Sequence, residues 1–139
     1  MASRVLVPVD DSEMAERALR HALESHPDAE IDVLHVVGGP SQMMGDAVSL
    51  ALADDIEAAA QERAAEVFER ARDVAAEYDA DITTDVAWGM PAKAILDRAE
   101  DYDVVVIGSH GGTLAERFFV GNVAQKVVRR SPVPVTVVR

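Results

Sequence analysis

Five short runs rich in valine and isoleucine alternate along the chain with segments whose apolar residues recur at helical spacing. Apolar runs of roughly four to eight residues are typical of buried strands, and an apolar residue at every third or fourth position is typical of an amphipathic helix. Strands that alternate with helices favour a parallel sheet, because each crossover helix returns the chain to the same end of the sheet. The order β-α-β-α-β-α-β-α-β therefore predicts one α/β domain over residues 1–139.

Turn-forming and helix-capping residues mark the ends of these segments. Asp10, Asp11 and Ser12 are good N-cap residues for the first helix, and Pro91 suits the first turn of the third. The residue pattern predicts strands at 4–9, 31–37, 82–88, 104–108 and 132–138. A loop at 38–49 is predicted to lead into a long second helix, whose buried stripe runs from Ile56 to Tyr78. A second loop at 109–120 is predicted to lead into a short last helix at 122–130.

Net charge and composition exclude several classes of partner. Thirteen basic residues face 25 acidic ones, for a net charge of -12, which repels nucleic acids and anionic membranes. The acidity fits an adaptation for solubility in a salty cytoplasm, with cation binding or repulsion of acidic partners as the alternative. No apolar run is long enough to span a membrane and no secretory signal precedes the first strand, so we expect a cytoplasmic protein.

Several familiar chemistries are absent from the sequence. The chain has no cysteine, which excludes disulfides, thiolate metal sites and a cysteine nucleophile. It has neither GxxxxGK[ST] nor a GxGxxG opening the first helix, which argues against a P-loop ATPase and a dinucleotide dehydrogenase. No nucleophile–base pair or carboxylate cluster is evident, so we predict no catalytic residue and no protein-held metal, although slow ATP hydrolysis stays open.

Three glycines follow the fourth predicted strand. Gly108 and Gly111 are three positions apart, and Gly121 comes ten positions later. Glycines let backbone N–H groups approach a phosphate closely, and a helix N-terminus adds partial positive charge. The same glycines could serve only to form tight turns. Ligands of open parallel sheets bind beyond the carboxyl ends of the strands, so these loops are the candidate site under either interpretation.

Over its whole length the chain resembles the universal stress protein family. Gly108, Gly111 and Gly121 match the family signature G-x2-G-x9-G-[ST], and VLVPVDDS, LHVV, GMPAKAIL and SPVPVTVV are similar to family segments. The resemblance implies a Rossmann-like open five-stranded parallel sheet in the order 3-2-1-4-5, with helices on both faces. The strand order would then reverse between strands one and four.

The resemblance also implies a site for ATP, since members with the glycine signature resemble ATP binders. Pro8, Val9 and Asp10 would line the adenosine side, and the main chain of Val36 would meet the adenine. Ribose and phosphates would be bordered by Gly108, Ser109, His110 and Gly111. Phosphates at the N-terminus of the last helix would be held by Gly121, Asn122, Val123 and Ala124, and Mg²⁺ would bridge phosphate oxygens with few protein ligands.

One position departs from the family pattern. Asn122 stands where the family has Ser or Thr. An Asn amide can donate to a phosphate but is larger than a hydroxyl, and Asn is also an excellent helix N-cap. The backbone N–H groups do not depend on the side chain, so we expect ATP binding to be retained. Elsewhere, His110 could contact phosphate or be structural, and His35, which lies in strand two, is expected to be satisfied by hydrogen bonds.

The leading functional hypothesis is an ATP-binding regulatory module for stress responses, with a protein partner that the sequence does not specify. The alternatives are a nucleotide-free interaction protein of the same fold, disabled by Asn122, and a nucleotide-dependent enzyme. Strand five is an edge strand in the family order, and its valines are too apolar to face water, so we expect a homodimer paired through this strand. Pro132 and Pro134 should limit that ladder, since they lack N–H groups.

Overall fold

The computed structural model describes the backbone of residues 3–38, 46–109 and 114–139. Five parallel strands form one sheet in the order β3-β2-β1-β4-β5, which confirms the predicted fold class and strand order. The strands are β1 (Arg4–Pro8), β2 (Glu30–Val37), β3 (Ile82–Trp88), β4 (Val104–Gly108) and β5 (Val135–Val138). The connecting helices are α1 (Glu13–Ser25), α2 (Asp46–Ala76), α3 (Pro91–Ala99) and α4 (Leu114–Arg130).

Prolines lie at the end of the first strand and just before the start of the last strand. β5 begins at Val135 rather than at Pro132, because Pro132 and Pro134 cannot donate to a ladder. β1 pairs with β2 as far as Pro8 and Leu34, but its pairing with β4 ends at Leu6 and Val105. Pro8 therefore lies where β1 and β4 have already separated, and a crevice opens at that point.

The prediction for the last helix was wrong at its start. α4 begins at Leu114, within the expected loop at 109–120, and not at Asn122. Residues 114–120 (LAERFFV) contain good helix formers and no glycine or proline, so nothing in them stops the helix. A single interior glycine such as Gly121 costs only about 1 kcal/mol. Gly121, Asn122, Val123 and Ala124 accordingly lie inside α4, and not at a helix N-terminus.

The second helix also begins earlier than its apolar pattern predicts. α2 starts at Asp46, within the loop expected at 38–49. The predicted end of that loop at residue 49 was therefore wrong, because residues 46–55 are rich in alanine and leucine, which favour a helix even without a clear stripe. In the part of the chain that the structure describes, no helix combines the length and apolar character needed to cross a membrane.

Both faces of the sheet are covered by helices. Side chains of a strand alternate between faces, so Val5 and Val7 point to one side and Leu6 to the other. Val5 and Val7 pack with α1 and α2 in one buried cluster, whereas Leu6 packs with α3 and α4 in a second. All three side chains are at most 1% exposed, which makes β1 the centre of the core. Full burial of each such side chain contributes about 1.5–3 kcal/mol.

Candidate functional site

A cleft of about 320 Å³ opens at the carboxyl ends of β1, β2 and β4. It lies where the strand order reverses, which is the usual ligand site of an open parallel sheet. Its size is at the lower end of the range of about 300–1,000 Å³ found for small-molecule sites. Its walls are the loop after β1, the end of β2, the start of α3, the end of β4 and parts of α2 and α4.

The cleft brings together half of the residues that the sequence predicts for the site. Those that line it are Pro8, Val9, Asp10, Val36, Gly108 and Val123. Ser109 instead extends the β4–β5 pairing, since its backbone N–H donates to the carbonyl of Val138 at 2.8 Å. Ala124 is buried in the core and Asn122 is exposed on α4. His110 and Gly111 lie outside the described residues.

The loop after β1 is held by its own hydrogen bonds. The backbone N–H of Val9 donates to the Leu34 carbonyl at 2.8 Å, which keeps the chain on β2. Asp10 Oδ1 accepts from the backbone N–H of Ser12 at 2.9 Å, and Ser12 Oγ accepts from that of Ala15 at 3.1 Å. Ser12 is thus the N-cap of α1, while Asp10 shapes the turn that precedes the helix.

Two arginines of α2 contact the loop after β1. The guanidinium of Arg63 lies 2.8 Å from Asp11 Oδ2, and that of Arg70 donates to the Asp11 carbonyl at 2.9 Å. Only Arg63 of the two lines the cleft, where it is the one cationic side chain among the described lining residues. Asp11 and Arg63 were not predicted as site residues from the sequence. The available signal was the spacing of seven between Arg63 and Arg70, which places both on one helix face.

Opposite these charges the walls of the cleft are apolar. The end of β2 supplies Leu34 and Val36, and α3 supplies Pro91 and Ile95. Small-molecule sites commonly combine apolar walls with a few polar groups that fix orientation. The arrangement is suited to a ligand with a flat apolar part and a polar or anionic part.

Gly108 has a packing role that its place in a glycine signature does not reveal. A Cβ atom there would lie 2.8 Å from Cγ of Met14 and 3.1 Å from the Met14 carbonyl oxygen. The absence of a side chain therefore lets the first turn of α1 pack against the end of β4. This requirement is independent of any ligand, and Gly108 meets it while also lining the cleft.

A separate polar cluster stabilises the opposite, amino end of the sheet. The carboxylate of Asp32 accepts hydrogen bonds from Thr83 Oγ1, from Tyr102 OH at 2.6 Å and from Arg4 at 3.3 Å. Burial acts to raise the pKa of Asp32, but the hydrogen bonds from Thr83 and Tyr102 bring it below its usual value. Burial and the bond to Asp32 raise the pKa of Tyr102 to about 12. This cluster joins three strands and is remote from the cleft.

The family model for the universal stress protein family matches residues 1–139. The chain belongs to the universal stress protein family. This confirms the resemblance seen in the sequence, and it agrees with the strand order of the sheet.

Individual universal stress proteins are similar to this chain over nearly their full length. YxiE of Bacillus subtilis is 32% identical, and the match covers 100% of both proteins. The structure of UspA from Lactobacillus plantarum is 28% identical with a TM-score of 0.80, and covers 99% of this chain and 97% of its own. A crystal structure of a universal stress protein in complex with cAMP is 26% identical with a TM-score of 0.71, and covers 99% and 97% of the two chains.

Proposed function

We propose that this universal stress protein binds an adenine nucleotide, ATP in the first instance, in the cleft between β1 and β4. The observation that carries the proposal is the position of the cleft at the reversal of strand order, with apolar walls facing Asp10, Asp11 and Arg63. The similar universal stress protein in complex with cAMP supports an adenine nucleotide as the ligand class.

The nucleoside is proposed to lie against the end of β2. β2 continues beyond Leu34, the last residue paired with β1, so the backbone of Val36 borders the cleft and pairs with β3 alone. Apolar walls from Val36, Pro91 and Ile95 suit the faces of an adenine ring. Asp10, which lines the cleft, is proposed to meet the ribose, and one of its carboxylate oxygens accepts from the backbone N–H of Ser12.

The phosphates need a different location from the one that the sequence predicts. α4 begins at Leu114, so Gly121 and Asn122 offer no helix N-terminus to an anion. We place the phosphates at the rim formed by Gly108 and Arg63, beside the first turn of α1. The carboxylates of Asp10 and Asp11 outnumber the single guanidinium of Arg63, so this part of the cleft carries net negative charge. Mg²⁺ is therefore proposed to enter with ATP and to bridge its phosphate oxygens.

The proposed role is regulatory, in a cytoplasmic homodimer paired through β5. β5 is an edge strand, and Val137 on it is 41% exposed. An apolar edge strand invites pairing with a second copy. Nucleotide occupancy would then be reported to a protein partner through the dimer.

Two measurements test nucleotide binding. Mass spectrometry of the freshly purified, denatured protein should detect a retained adenine nucleotide. Calorimetric titration of nucleotide-stripped protein with adenosine, AMP and ATP, each with and without Mg²⁺, should give saturable binding, with the largest Mg²⁺ effect for ATP. If no nucleotide is retained and none of the three ligands binds, the proposal is wrong, and the nucleotide-free interaction protein becomes the better hypothesis.

A further inference from the structure

His35 is a buried residue that lines the cleft, and among the described residues only one of its two ring nitrogens has a hydrogen-bond partner. The residue is 7% exposed and lines the cleft from β2. Its Nδ1 lies 3.0 Å from the carbonyl oxygen of Val9. Because a carbonyl oxygen can only accept, Nδ1 carries the proton, and in that tautomer of the uncharged imidazole Nε2 is the acceptor.

No described group donates a hydrogen bond to Nε2 of His35. The sequence predicts that this histidine is satisfied by hydrogen bonds, and among the described residues it has one partner, the carbonyl of Val9. A buried acceptor without a donor costs free energy, so such groups in native proteins usually meet a ligand or water. Among the described residues, Nε2 of His35 therefore lacks a donor, and His35 lines a cleft that lies where ligands bind.

The ring of His35 is fixed on two sides. Its Nδ1 is tied to Val9, the residue before Asp10, and its plane meets the Phe68 ring edge to face, with centroids 6.3 Å apart. Rotation of the ring would break the bond to Val9 and the contact with Phe68 together. The position of Nε2 is thus set before any ligand arrives, which lowers the ordering cost of binding.

We propose that Nε2 of His35 accepts a hydrogen bond from the nucleoside part of the ligand, either from a ribose hydroxyl or from the exocyclic amino group of the base. The inference rests on the proposed function and adds a specificity determinant to it. Phosphate oxygens and ring carbonyls are acceptors and would face Nε2 without a proton between them. His35 therefore marks the nucleoside end of the cleft and selects for a donor there.

The variant His35→Asn distinguishes the role of Nε2 from that of Nδ1. An Asn amide N–H can replace Nδ1–H toward the Val9 carbonyl, but Asn has no atom at the position of Nε2. His21→Asn is the matched control, because His21 lies on α1 and contacts Ser25 rather than the cleft. Thermal denaturation of both variants establishes that they fold before any ligand is added.

Calorimetric titration with adenosine, 2′-deoxyadenosine, 3′-deoxyadenosine and purine riboside identifies the donor. The unmodified protein and His21→Asn should bind one analogue about fivefold more weakly than adenosine, as loss of one hydrogen bond predicts. In His35→Asn that difference should disappear. If the same analogue differences persist in His35→Asn, the proposal is wrong although the nucleotide site stands. If adenosine and ATP both fail to bind the unmodified protein, the site and the proposal fall together.

Imidazole ¹⁵N NMR of the unmodified protein gives a second test that does not depend on the variant folding. Only four histidines contribute signals. His35 should carry its proton on Nδ1 in the free protein, and its Nε2 resonance should move when adenosine is added. A proton on Nε2 in the free protein, or an Nε2 resonance that adenosine at saturation leaves unchanged, would overturn the assignment.

Discussion

A methyl group added at Gly108 should destabilise this protein even when no ligand is present. The new Cβ would lie 2.8 Å from Met14 Cγ and 3.1 Å from the Met14 carbonyl oxygen. Met14 is 9% exposed and belongs to the first turn of α1. Its Cγ is therefore confined by packing, and its carbonyl oxygen can retreat only if the start of the helix moves. The substitution Gly108→Ala therefore forces β4 and α1 apart.

The magnitude follows from two opposing effects. Overpacking a buried position costs about 1–3 kcal/mol, and replacing glycine by alanine recovers about 0.4–1 kcal/mol by restricting the unfolded chain. The net loss is about 1–2 kcal/mol. A chain of 139 residues has an unfolding entropy of about 0.3 kcal/mol/K, so the Tm should fall by about 3–7 °C.

Gly38→Ala is the matched control for Gly108→Ala. Gly38 also lines the cleft, but no atom lies within 4 Å of a Cβ built on it. The Tm of Gly38→Ala should stay level or rise by about 1–3 °C, because only the effect on the unfolded chain applies. Differential scanning calorimetry without nucleotide measures both variants. Equal melting temperatures for the two would refute the packing role of Gly108 and leave phosphate approach as its explanation.

Three further predictions concern charge, pH and assembly. Arg63→Gln should weaken ATP binding about tenfold and change the affinity for adenosine by less than about twofold. Arg70→Gln removes the same charge outside the cleft and should change neither affinity by more than about twofold. Equal losses of ATP affinity from both variants in calorimetric titrations would mean that Arg63 makes no specific contact. Because the pKa of Tyr102 is raised to about 12, its contribution to stability is complete below about pH 10 and is lost as the pH rises through 12. Urea denaturation should therefore show an alkaline loss of stability that is smaller in Tyr102→Phe, and identical pH profiles would contradict this. Val137→Asp should give a folded monomer by light scattering. The side chain of Val135 packs on the core, so Val135→Asp should instead unfold the protein. An unmodified protein that is monomeric at micromolar concentration would refute the β5 dimer.

The sheet was the most predictable part of the molecule, for a physical reason. Strands covered on both faces need apolar side chains at every position, so β1 and β4 appear in the sequence as continuous apolar runs. Their length and flanking turns then distinguish them from helices. The order of the strands came from the family resemblance, since pairing between distant segments leaves no local mark on the sequence.

Helix starts were less predictable, because several weak preferences decide them together. Gly121 looked like a boundary, but its small cost is offset by the helix formers that surround it in α4. The start of α2 was similarly hidden in an alanine-rich stretch without a clear apolar stripe. The consequence for the site was large, since the expected phosphate position depended on a helix beginning at Gly121.

Two site features could not be predicted from the sequence because they arise only from tertiary geometry. Arg63 reaches the cleft because α2 crosses the loop after β1, and the position of a helix relative to a distant loop is not encoded locally. The tautomer of His35 depends on the carbonyl of Val9, which lies in the loop after β1 and far from His35 in the sequence. In both cases the residue type was visible in the sequence, but its partner was not.

The loop after β1 explains how one segment can serve both the fold and the site. Its polar side chains are already engaged within the protein: Asp10 with Ser12, Ser12 with Ala15, and Asp11 with Arg63. A ligand therefore meets a loop whose conformation is fixed, and its binding need not order that loop. Of these interactions, the ion pair between Arg63 and Asp11 is the exposed one, with side chains 56% and 43% exposed. Since such pairs stabilise a protein by only about 0–1 kcal/mol, a phosphate could displace Asp11 from Arg63 at little cost to the fold.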